Sequence, residues 1–337
     1  MGIDQVTAAW VDGVEGVRFF IVGGAGFIGA HFVDYLLGEG GARQVTIYDN
    51  FSSGREWHVA GHASDPRFQL VRGNVEDLTN LRQAMAGHQV VIHLASNPDI
   101  ARAASEPAID FDQGTVLTHA VVEAMRTSSA KRILYASGSG VYGDFGQRQL
   151  SEDHGPLVPI STYGASKLAG EALIASYSFM FGLSGCAFRF GNVVGPRQTH
   201  GVGFDFARRL LAEPSHLRIL GDGTQSKSYV HISDIIAAVL RAHSRTESTY
   251  QVYNVATADT LSVTEIAELA VECVGLAPGS VRFEYTGGDR GWKGDVPVVR
   301  LDTTRIRSLG WSCRHSSRAA LQQAILAMLP DMKSGRM

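Results

Sequence analysis

This sequence has few cysteines, no net positive charge and no long hydrophobic run. The 337 residues include three cysteines, Cys186, Cys273 and Cys313. They are far apart, odd in number and without zinc-ligand spacing, which excludes a disulfide framework and predicts reduced thiols in a cytoplasmic protein. The formal net charge of -3 excludes the basic surface that binding to nucleic acid or to an acidic membrane requires.

The sequence also lacks the patterns that indicate a membrane span, a signal peptide or a metal site. No apolar run approaches the ~20 residues needed to span a bilayer, so we expect no membrane segment. Residues 1–15 lack a basic stretch followed by an apolar core, so no signal peptide is expected. His58 and His62 have the spacing of a helical metal pair, but no glutamate accompanies them and Gly61 indicates a loop. We therefore expect no metal site.

What the sequence does contain is a glycine-rich run directly behind an apolar strand. Gly23, Gly26 and Gly29 have the spacing that a dinucleotide pyrophosphate requires of a protein backbone. Gly23 allows the tight turn, Gly26 lets the main chain approach the phosphates, and Gly29 lets helix and strand pack closely. The helix that follows, with Phe27 and Ile28 at its start, is expected to direct its free N–H groups at the anion.

An acidic residue at the end of the next strand supports this dinucleotide hypothesis. Asp49, followed by Asn50, lies twenty positions after Gly29. A carboxylate there can accept hydrogen bonds from ribose hydroxyls and repel the extra phosphate of NADP. The alternative is a turn-initiating Asp-Asn pair. Arg55 would favour NADP, but Asp49 outweighs it, so the predicted cofactor is NAD.

Short β-rich segments alternate with helical ones through the first half of the chain. This alternation predicts an α/β fold in which a Rossmann-type, doubly wound parallel sheet carries helices on both faces. Its ligand is expected at the carboxyl ends of the strands, near the switch in strand order. The predicted strands are Arg18–Val22, Gln44–Tyr48, Phe68–Arg72, Val90–Leu94, Arg132–Ser137 and Cys186–Phe190, and the predicted helices include Phe27–Leu37, Asn80–Met85, Thr115–Thr127 and Tyr163–Phe181.

After about Asn192 the elements become shorter and are separated by glycine and proline. Helices are predicted there at Val263–Val274 and about Ser317–Met328. We predict a dinucleotide-binding domain over 15–191, completed by about 230–256. A smaller C-terminal α/β domain over 192–229 and 257–337 is expected to bind the substrate.

Several residues lie where a doubly wound sheet holds the two halves of a dinucleotide. This placement rests on position alone, and a packing role fits it equally well. The residues are Asn74 and Val75 after the third strand, and Leu94, Ala95 and Ser96 after the fourth.

A tyrosine and a lysine four residues apart form the candidate reacting centre. On a helix, Tyr163 and Lys167 share one face. Free tyrosine has a pKa of about 10 and is a poor base at neutral pH. A nearby ammonium, helped by an oxidised nicotinamide ring, favours the phenolate. Such a phenol can then take a proton from a sugar hydroxyl while hydride leaves.

Together these motifs resemble an extended short-chain dehydrogenase/reductase of the NAD-dependent nucleotide-sugar epimerase/dehydratase family. Within it the chain is most similar to UDP-galactose 4-epimerase-like enzymes, including a subgroup with the stretch Thr286–Asp295. The resemblance implies tightly held NAD, a nucleoside-diphosphate sugar as substrate, and a homodimer joined through a helix bundle. It covers most of the chain and rests on Gly23–Gly29, Asp49, His93–Ala95, Val141–Gly143, Tyr163 with Lys167, Arg189–Pro196 and Gly221–Asp234.

The resemblance also implies roles for individual residues. Tyr163 corresponds to the catalytic acid/base, and Lys167 to its electrostatic partner and ribose ligand. The diphosphate is expected to meet Lys227, where the family usually has an arginine, and Arg290, with Lys293 as the competing candidate. Asn192 lies where the family contacts the sugar diphosphate. His200 and Val202, just after the turn Gly195-Pro196-Arg197, are expected to line the sugar or nucleotide end of the substrate site.

Two positions depart from the family pattern. Gly138 stands where the family places Ser or Thr to hydrogen-bond the reacting hydroxyl. Strand alternation turns Ser137 and Ser139 away from that hydroxyl. A bulge that brings Ser139 or Ser137 into place, a water, or a differently seated substrate are the three alternatives. Gly114 replaces a frequent asparagine, and both losses are expected to open room for a bulkier substrate.

The reaction predicted from these residues is inversion at C4 of a nucleoside-diphosphate sugar through a transient 4-keto intermediate. Family dehydratases carry an Asp-Glu pair, and decarboxylases a Glu, where this chain has Ser139 and Gly140. Both lyase activities therefore rank behind epimerisation. A reductase with exchangeable cofactor is the main alternative. An NAD-sensing protein without activity would leave the Tyr163–Lys167 pair unexplained.

Overall fold

A computed structural model describes residues 13–337 and shows a seven-stranded parallel sheet at the centre of the first half. The strands are β1 (Arg18–Val22), β2 (Gln44–Asp49), β3 (Phe68–Arg72), β4 (Val90–His93), β5 (Arg132–Gly138), β7 (Ser184–Phe190) and β12 (Tyr250–Val255). Their order across the sheet is β12-β7-β5-β4-β1-β2-β3, and all six pairs are parallel. Because β1 lies between β2 and β4, the strand order switches direction beside β1, as in a doubly wound sheet.

The other strands form four two-stranded sheets within the described residues. The pairs are β6 (Gln149–Leu150) with β15 (Arg300–Leu301), β8 (Asn192–Val194) with β11 (Tyr229–His231), β9 (His216–Ile219) with β14 (Arg282–Tyr285), and β10 (Ser226–Lys227) with β13 (Leu261–Ser262). Nine α-helices occur in the same part of the chain. They are α1 (Phe27–Leu37), α2 (Leu78–Met85), α3 (Leu117–Arg126), α4 (Thr162–Phe181), α5 (Val202–Ala212), α6 (Ile232–Arg245), α7 (Val263–Val274), α8 (Thr304–Ser308) and α9 (Ser317–Lys333).

Alternation along each central strand divides the core into two layers. In β1, Phe19 and Ile21 pack on one face with α1 and α6, while Phe20 and Val22 pack on the other with α2, α3 and α4. All four side chains are fully buried. A strand that is apolar on both faces is stable only when helices cover both, which is why this sheet is parallel and doubly wound. The predicted fold class is confirmed.

A separate hydrophobic cluster joins α5, α7 and α9 to β9 and β11. Its buried members all lie within 192–229 and 257–337. Ile306 of α8 and the nearby Trp311 instead pack into the core of the large sheet. The exact division into domains remains a prediction.

Element boundaries differ from expectation by two or more residues at three helices. The predicted helix 115–127 is interrupted, because Phe111–Val116 forms a π-helical turn before α3. Helix α2 begins two residues early, since Asp77 caps it by accepting a hydrogen bond from Asn80 N at 3.1 Å. Helix α9 continues to Lys333, five residues beyond the predicted end at Met328.

The histidine pair considered for a metal lies in two short 3₁₀ turns. His58 Nδ1 is 2.8 Å from the carbonyl oxygen of Ala25, and His62 Nε2 is 2.7 Å from Asp34 Oδ1. Residues 13–337 contain no group of three or more histidines, cysteines or acids that could hold a metal ion. No helix in that range is long and apolar enough to cross a bilayer. The signal-peptide expectation concerns residues that lie, up to residue 12, outside the described part.

Candidate active site

The glycine-rich turn between β1 and α1 lies against the segment that follows β4. Gly23 has a φ of +81°, and a Cβ there would lie 2.7 Å from Ala95 N, so only glycine fits. A Cβ on Gly29 would lie 2.6 Å from the Gly23 carbonyl oxygen. Gly26 precedes α1 and makes no side-chain cap, which leaves the first-turn N–H groups of Phe27 and Ile28 open to an anion. The turn fits a dinucleotide pyrophosphate.

Asp49 closes β2 beside this turn with a buried carboxylate. Its oxygens accept hydrogen bonds from Ala25 N at 2.9 Å and Phe51 N at 2.8 Å. Burial raises the pKa of Asp49, and the two backbone hydrogen bonds oppose that rise. Each oxygen keeps a lone pair for a ribose hydroxyl. The neighbouring Asn50 is exposed and accepts a hydrogen bond from Ser52 N at 3.0 Å, so it shapes the loop.

The other residues predicted for the dinucleotide lie at two strand ends. Leu94 N and Ala95 N both donate to the carbonyl oxygen of Val22, at 2.9 and 3.1 Å, which holds the segment after β4 beside the glycine turn. At the end of β3, Val75 is buried and Asn74 is exposed. The Tyr48 hydroxyl donates to the Asn74 carbonyl oxygen at 3.0 Å. These positions fit the predicted cofactor path, and the individual contacts remain predictions.

Tyr163 lies in the first turn of α4, close to the end of β5. Ser161 caps this helix by accepting a hydrogen bond from Gly164 N at 3.1 Å. A Cβ on Gly164 would collide with the carbonyl oxygen of Gly140, so the start of α4 rests directly on the 3₁₀ turn Ser139–Val141. The absence of a side chain at Gly164 therefore brings the tyrosine to the strand end.

Lys167 follows Tyr163 on the same helix face and is buried. Its Nζ donates to the carbonyl oxygen of Ala136 at 2.8 Å and lies 5.5 Å from the centre of the Tyr163 ring. Burial lowers the pKa of Lys167 to about 8, with the charge of Asp110 opposing the shift. The structure thus brings together the two side chains expected to react.

The Tyr163 phenol resists ionisation in this environment. Burial raises its pKa to about 12, the negative charge of Asp110 adds to the rise, and a hydrogen bond from Ser96 opposes it. At neutral pH the phenol therefore holds its proton until more positive charge is brought close to it. A cationic ring bound next to Tyr163 would supply this positive charge.

The strand end beside Tyr163 carries no side chain. A Cβ on Gly138 would have one neighbour within 4 Å, Tyr163 Cε1 at 3.9 Å, so the space there is open. Ser137 Oγ donates to Glu171 Oε1 at 2.6 Å, and Glu171 forms a buried ion pair with Arg189. Ser137 is engaged in the core, which contradicts the alternative that a bulge turns it toward the substrate.

Ser139 begins the 3₁₀ turn after β5 and is half-buried. Within the described residues, no hydrogen bond joins its side chain to Tyr163. Its catalytic role stays a prediction. The expectation for Gly114 is wrong, because a Cβ there would lie 2.7 Å from Ser166 Oγ. The π-helical turn packs on α4 at this point, so the missing side chain opens no room.

Sequence reasoning missed a buried polar cluster behind the reacting pair. Asp110 is 1% exposed, and its carboxylate accepts hydrogen bonds from Asn97 Nδ2 at 2.9 Å and Thr162 Oγ1 at 2.7 Å. The cluster connects the segment after β4 to the residue before Tyr163. No local pattern reveals it, because the three residues are far apart in the chain.

The two cations predicted to bind diphosphate converge in the C-terminal half. Lys227 Nζ forms an ion pair with Asp295 Oδ1, and Arg290 donates to the Asp295 carbonyl oxygen. Arg290 also donates to Asp144 Oδ2 at 2.6 Å. Sequence reasoning singled out neither carboxylate as a partner. The competing Lys293 is exposed.

The remaining substrate candidates are separated along the same half. Asn192 is exposed on β8, and its N–H donates to the Ser228 carbonyl oxygen at 3.0 Å. His200 is exposed in the loop before α5, while Val202 is half-buried against the second core. The structure therefore gathers Lys227 and Arg290, and substrate contacts of the other three remain predictions.

Known proteins resemble this chain over most of its length. Residues 19–256 match the NAD dependent epimerase/dehydratase family. A UDP-glucose 4-epimerase from Mycolicibacterium smegmatis is 33% identical over 303 residues, covering 88% of this chain and 93% of that protein. A dTDP-glucose 4,6-dehydratase from Streptomyces griseus is 30% identical over 299 residues, covering 88% and 89%. A crystal structure of a UDP-galactose 4-epimerase is 34% identical, with a TM-score of 0.81, covering 94% and 99%.

The chain belongs to the NAD-dependent epimerase/dehydratase family, and its cofactor is NAD. It is an enzyme of the extended short-chain dehydrogenase/reductase type, as its sequence motifs predicted. Both epimerases and dehydratases are among its relatives, so membership alone leaves the reaction open.

Proposed function

We propose that this protein inverts C4 of a UDP-sugar through a transient 4-keto intermediate. The observation that carries the proposal is the Tyr163–Lys167 pair beside a strand end that holds Ser139 and Gly140 and no acidic pair. A tyrosine supported by a lysine suffices to move one hydroxyl proton. The 33% identity to a UDP-glucose 4-epimerase supports UDP as the nucleotide.

In this proposal the glycine turn Gly23–Gly29 holds the pyrophosphate of NAD, Asp49 the adenine ribose, and Lys167 the nicotinamide ribose. These residues would hold the cofactor so that its oxidised nicotinamide could supply reversible hydride transfer at C4, on either face of the sugar. The buried Asp49 carboxylate disfavours a 2′-phosphate and so selects NAD over NADP.

Tyr163 takes the proton of the C4 hydroxyl and later gives it back to the epimer. The Lys167 ammonium stabilises the phenolate that takes this proton and that forms again when the proton is given back, because it is fixed above β5 within 5.5 Å of the ring centre. A charge held in a buried site acts more strongly than it would in water. The same proton leaves and returns, and the net redox change is zero.

Lys227 and Arg290 bind the diphosphate in this proposal. Both are paired with acids, Asp295 and Asp144, and both retain N–H donors for phosphate oxygens. Arg290 has the planar, two-pronged geometry that suits a diphosphate, while Lys227 contributes a point charge. A nucleotide sugar held at its diphosphate leaves the sugar free to turn and present either face.

We also propose a homodimer formed through α3 and α4. Exposed apolar side chains on or beside these helices include Phe111, Phe179 and Met180, at 59%, 73% and 71% exposure. Such a patch favours an interface with a second copy of this chain. Light scattering coupled to size exclusion should give twice the chain mass, and a monomer would contradict the proposed dimer.

The reaction is tested with purified protein and UDP-glucose, UDP-glucuronate and UDP-N-acetylglucosamine in separate incubations without added NAD. NMR and mass spectrometry should reveal a C4 epimer of unchanged mass from at least one of them. Tyr163→Phe should lose turnover by ~10²–10⁴-fold, while Tyr285→Phe, an exposed tyrosine, serves as the matched control.

Three other outcomes discriminate the alternatives. Loss of water or of carbon dioxide would identify a dehydratase or a decarboxylase. Turnover that needs stoichiometric added cofactor would identify a reductase. Any of these three results would overturn the proposed epimerisation while leaving the family assignment intact.

A further inference from the structure

Ala25, inside the glycine-rich turn, has both of its backbone polar groups occupied. Its N–H donates to Asp49 Oδ2 at 2.9 Å. Its carbonyl oxygen accepts hydrogen bonds from Arg55 N at 3.0 Å and from His58 Nδ1 at 2.8 Å. These bonds fix the orientation of the peptide, so its carbonyl oxygen stays turned away from an anion bound at the N-terminus of α1.

Both donors to this carbonyl come from residues 54–58, which follow β2 and are called the clamp loop below. A Cβ on Gly54 would lie 2.9 Å from Ala25 Cβ, so the clamp loop packs directly on the glycine-rich turn. His58 is 2% exposed, and burial lowers its pKa, with the charge of Arg197 adding to the shift. The imidazole is therefore neutral, and its one proton lies on Nδ1, the nitrogen that faces the carbonyl.

Arg197, in the loop between β8 and α5, holds the clamp loop from its other side. Its Nη1 donates to the carbonyl oxygen of His58 at 2.7 Å. Its Nη2 forms an ion pair with Asp34 of α1 and lies 3.1 Å from His31 Nδ1. One guanidinium thus joins the clamp loop to the helix that begins at the glycine-rich turn.

The backbone of Arg197 is in the left-handed region, with a φ of +64°. A residue with a side chain adopts this conformation at a cost, and it persists where surrounding contacts require it. The neighbouring Pro196 is held as well, because His31 Nε2 donates to its carbonyl oxygen at 2.9 Å. The strained residue therefore lies where the loop that follows β8 contacts α1 and the clamp loop.

We infer that Arg197 and His58 are positioning residues that hold the glycine-rich turn in the shape that binds the pyrophosphate of NAD, and so slow the release of the cofactor. The contacts run from Arg197 through the clamp loop to Ala25, which lies between the glycines of the turn. Neither residue is assigned a contact with NAD itself. The inference rests on NAD as the cofactor of the family and is independent of the reaction proposed for the sugar.

The test measures the release of NAD from the loaded protein. Protein carrying isotopically labelled NAD is mixed with excess unlabelled NAD, and the label that stays bound is followed over time. Arg197→Asn removes the guanidinium and suits the left-handed backbone. It should release NAD roughly 10–100-fold faster, as expected for the loss of hydrogen bonds from a charged group. His58→Ala should release NAD roughly 2–10-fold faster, because it loses one neutral hydrogen bond.

A conservative variant separates positioning from general destabilisation. The amide nitrogen of asparagine can take the place of imidazole Nδ1, so His58→Asn should still donate to the Ala25 carbonyl oxygen. This variant should release NAD at the rate of the unchanged protein. When Arg197→Asn and His58→Ala are combined, the acceleration should be smaller than the product of the two single effects, because both residues act through the clamp loop.

Two matched controls carry similar contacts away from the turn. Arg67 donates from Nη2 to the carbonyl oxygen of Leu37, at the other end of α1, at 2.6 Å. The buried His88, before β4, has its Nδ1 3.1 Å from the carbonyl oxygen of Met85. Arg67→Asn and His88→Ala should lower the Tm of the protein but leave the release rate of NAD unchanged.

The release rates decide the inference without any sugar in the assay, so a failure of the proposed epimerisation would not affect them. Faster release from Arg197→Asn and His58→Ala, with normal release from His58→Asn, is the expected result. If the first two variants release NAD no faster than the controls, the inference is overturned. Single effects that multiply in full in the combined variant would show that the two residues act separately, which would also contradict it.

Discussion

Lys167 Nζ donates a hydrogen bond to the carbonyl oxygen of Ala136 at 2.8 Å. This bond ties the N-terminal part of the tyrosine helix to β5 and holds an ammonium in a buried position. The rings of Tyr135 and Tyr163 lie 5.2 and 5.5 Å from the same nitrogen. Burial disfavours the charged form of Lys167. The charge of this lysine should therefore give the reaction rate a measurable pH dependence.

We expect kcat to fall as the pH rises above about 8. Burial lowers the pKa of Lys167 to about 8, so the ammonium that stabilises the phenolate is lost as the pH rises through that value. A lysine with its ordinary pKa would keep its charge to about pH 10. Measuring kcat of the epimerase reaction as a function of pH tests this fall. A kcat that stays level to about pH 10 would contradict the role assigned to the Lys167 ammonium. Lys131→Met, at an exposed site, should leave the profile unchanged.

Arg290→Ala should raise the KM for the nucleotide sugar by roughly 10–100-fold, because charged hydrogen bonds contribute about 1.5–3 kcal/mol. The change in kcat should be smaller, since the diphosphate is remote from the reacting carbon. Arg282→Ala, an exposed arginine on β14, is the matched control. Equal KM values for the two variants would show that Arg290 does not contact the substrate.

Asp49→Asn should weaken NAD binding and improve the relative binding of NADP. The substitution removes a buried negative charge at the ribose position while one amide oxygen can still accept a backbone hydrogen bond. Calorimetric titration of each cofactor into protein stripped of NAD measures the ratio of the Kd for NADP to the Kd for NAD. Asp112→Asn, exposed on the π-helical turn, is the control. An unchanged ratio in Asp49→Asn would show that Asp49 does not contact the cofactor.

Gly114→Ala should destabilise the protein by about 1–3 kcal/mol, because its Cβ would lie 2.7 Å from Ser166 Oγ. Gly138→Ala should be close to neutral, since its Cβ meets one atom at 3.9 Å and the backbone there is extended. Thermal unfolding of the two variants under one condition compares them directly. Similar Tm values would refute the packing account of these two glycines.

Features encoded in short stretches of sequence were predicted well. The β1–α1 turn follows from glycine spacing behind an apolar strand, and the shared face of Tyr163 and Lys167 follows from helical periodicity. Strand alternation turned Ser137 away from the substrate, and the structure shows its hydrogen bond to Glu171. Each of these depends on residues that are close in the chain or on one regular element.

Contacts between distant segments could not be predicted in the same way. Asp110 meets Asn97 and Thr162, which are 13 and 52 positions away, and Arg290 meets Asp144 across 146 positions. The wrong expectation that Gly114 opens room for a substrate also arose from a contact between distant segments. A glycine at a helix–helix contact and a glycine facing a cavity look identical in sequence, and only the position of Ser166 distinguishes them.

The central claim is that the hydrogen at C4 leaves one face of the sugar and returns to the other within a single active site. A UDP-sugar carrying deuterium at C4 tests it most directly, with the enzyme used as purified and the products followed by NMR and mass spectrometry. The account predicts that the C4 epimer keeps deuterium at C4 and has the mass of the labelled substrate. Transfer of the deuterium to C6 with loss of water, or its release into added cofactor, would contradict the account.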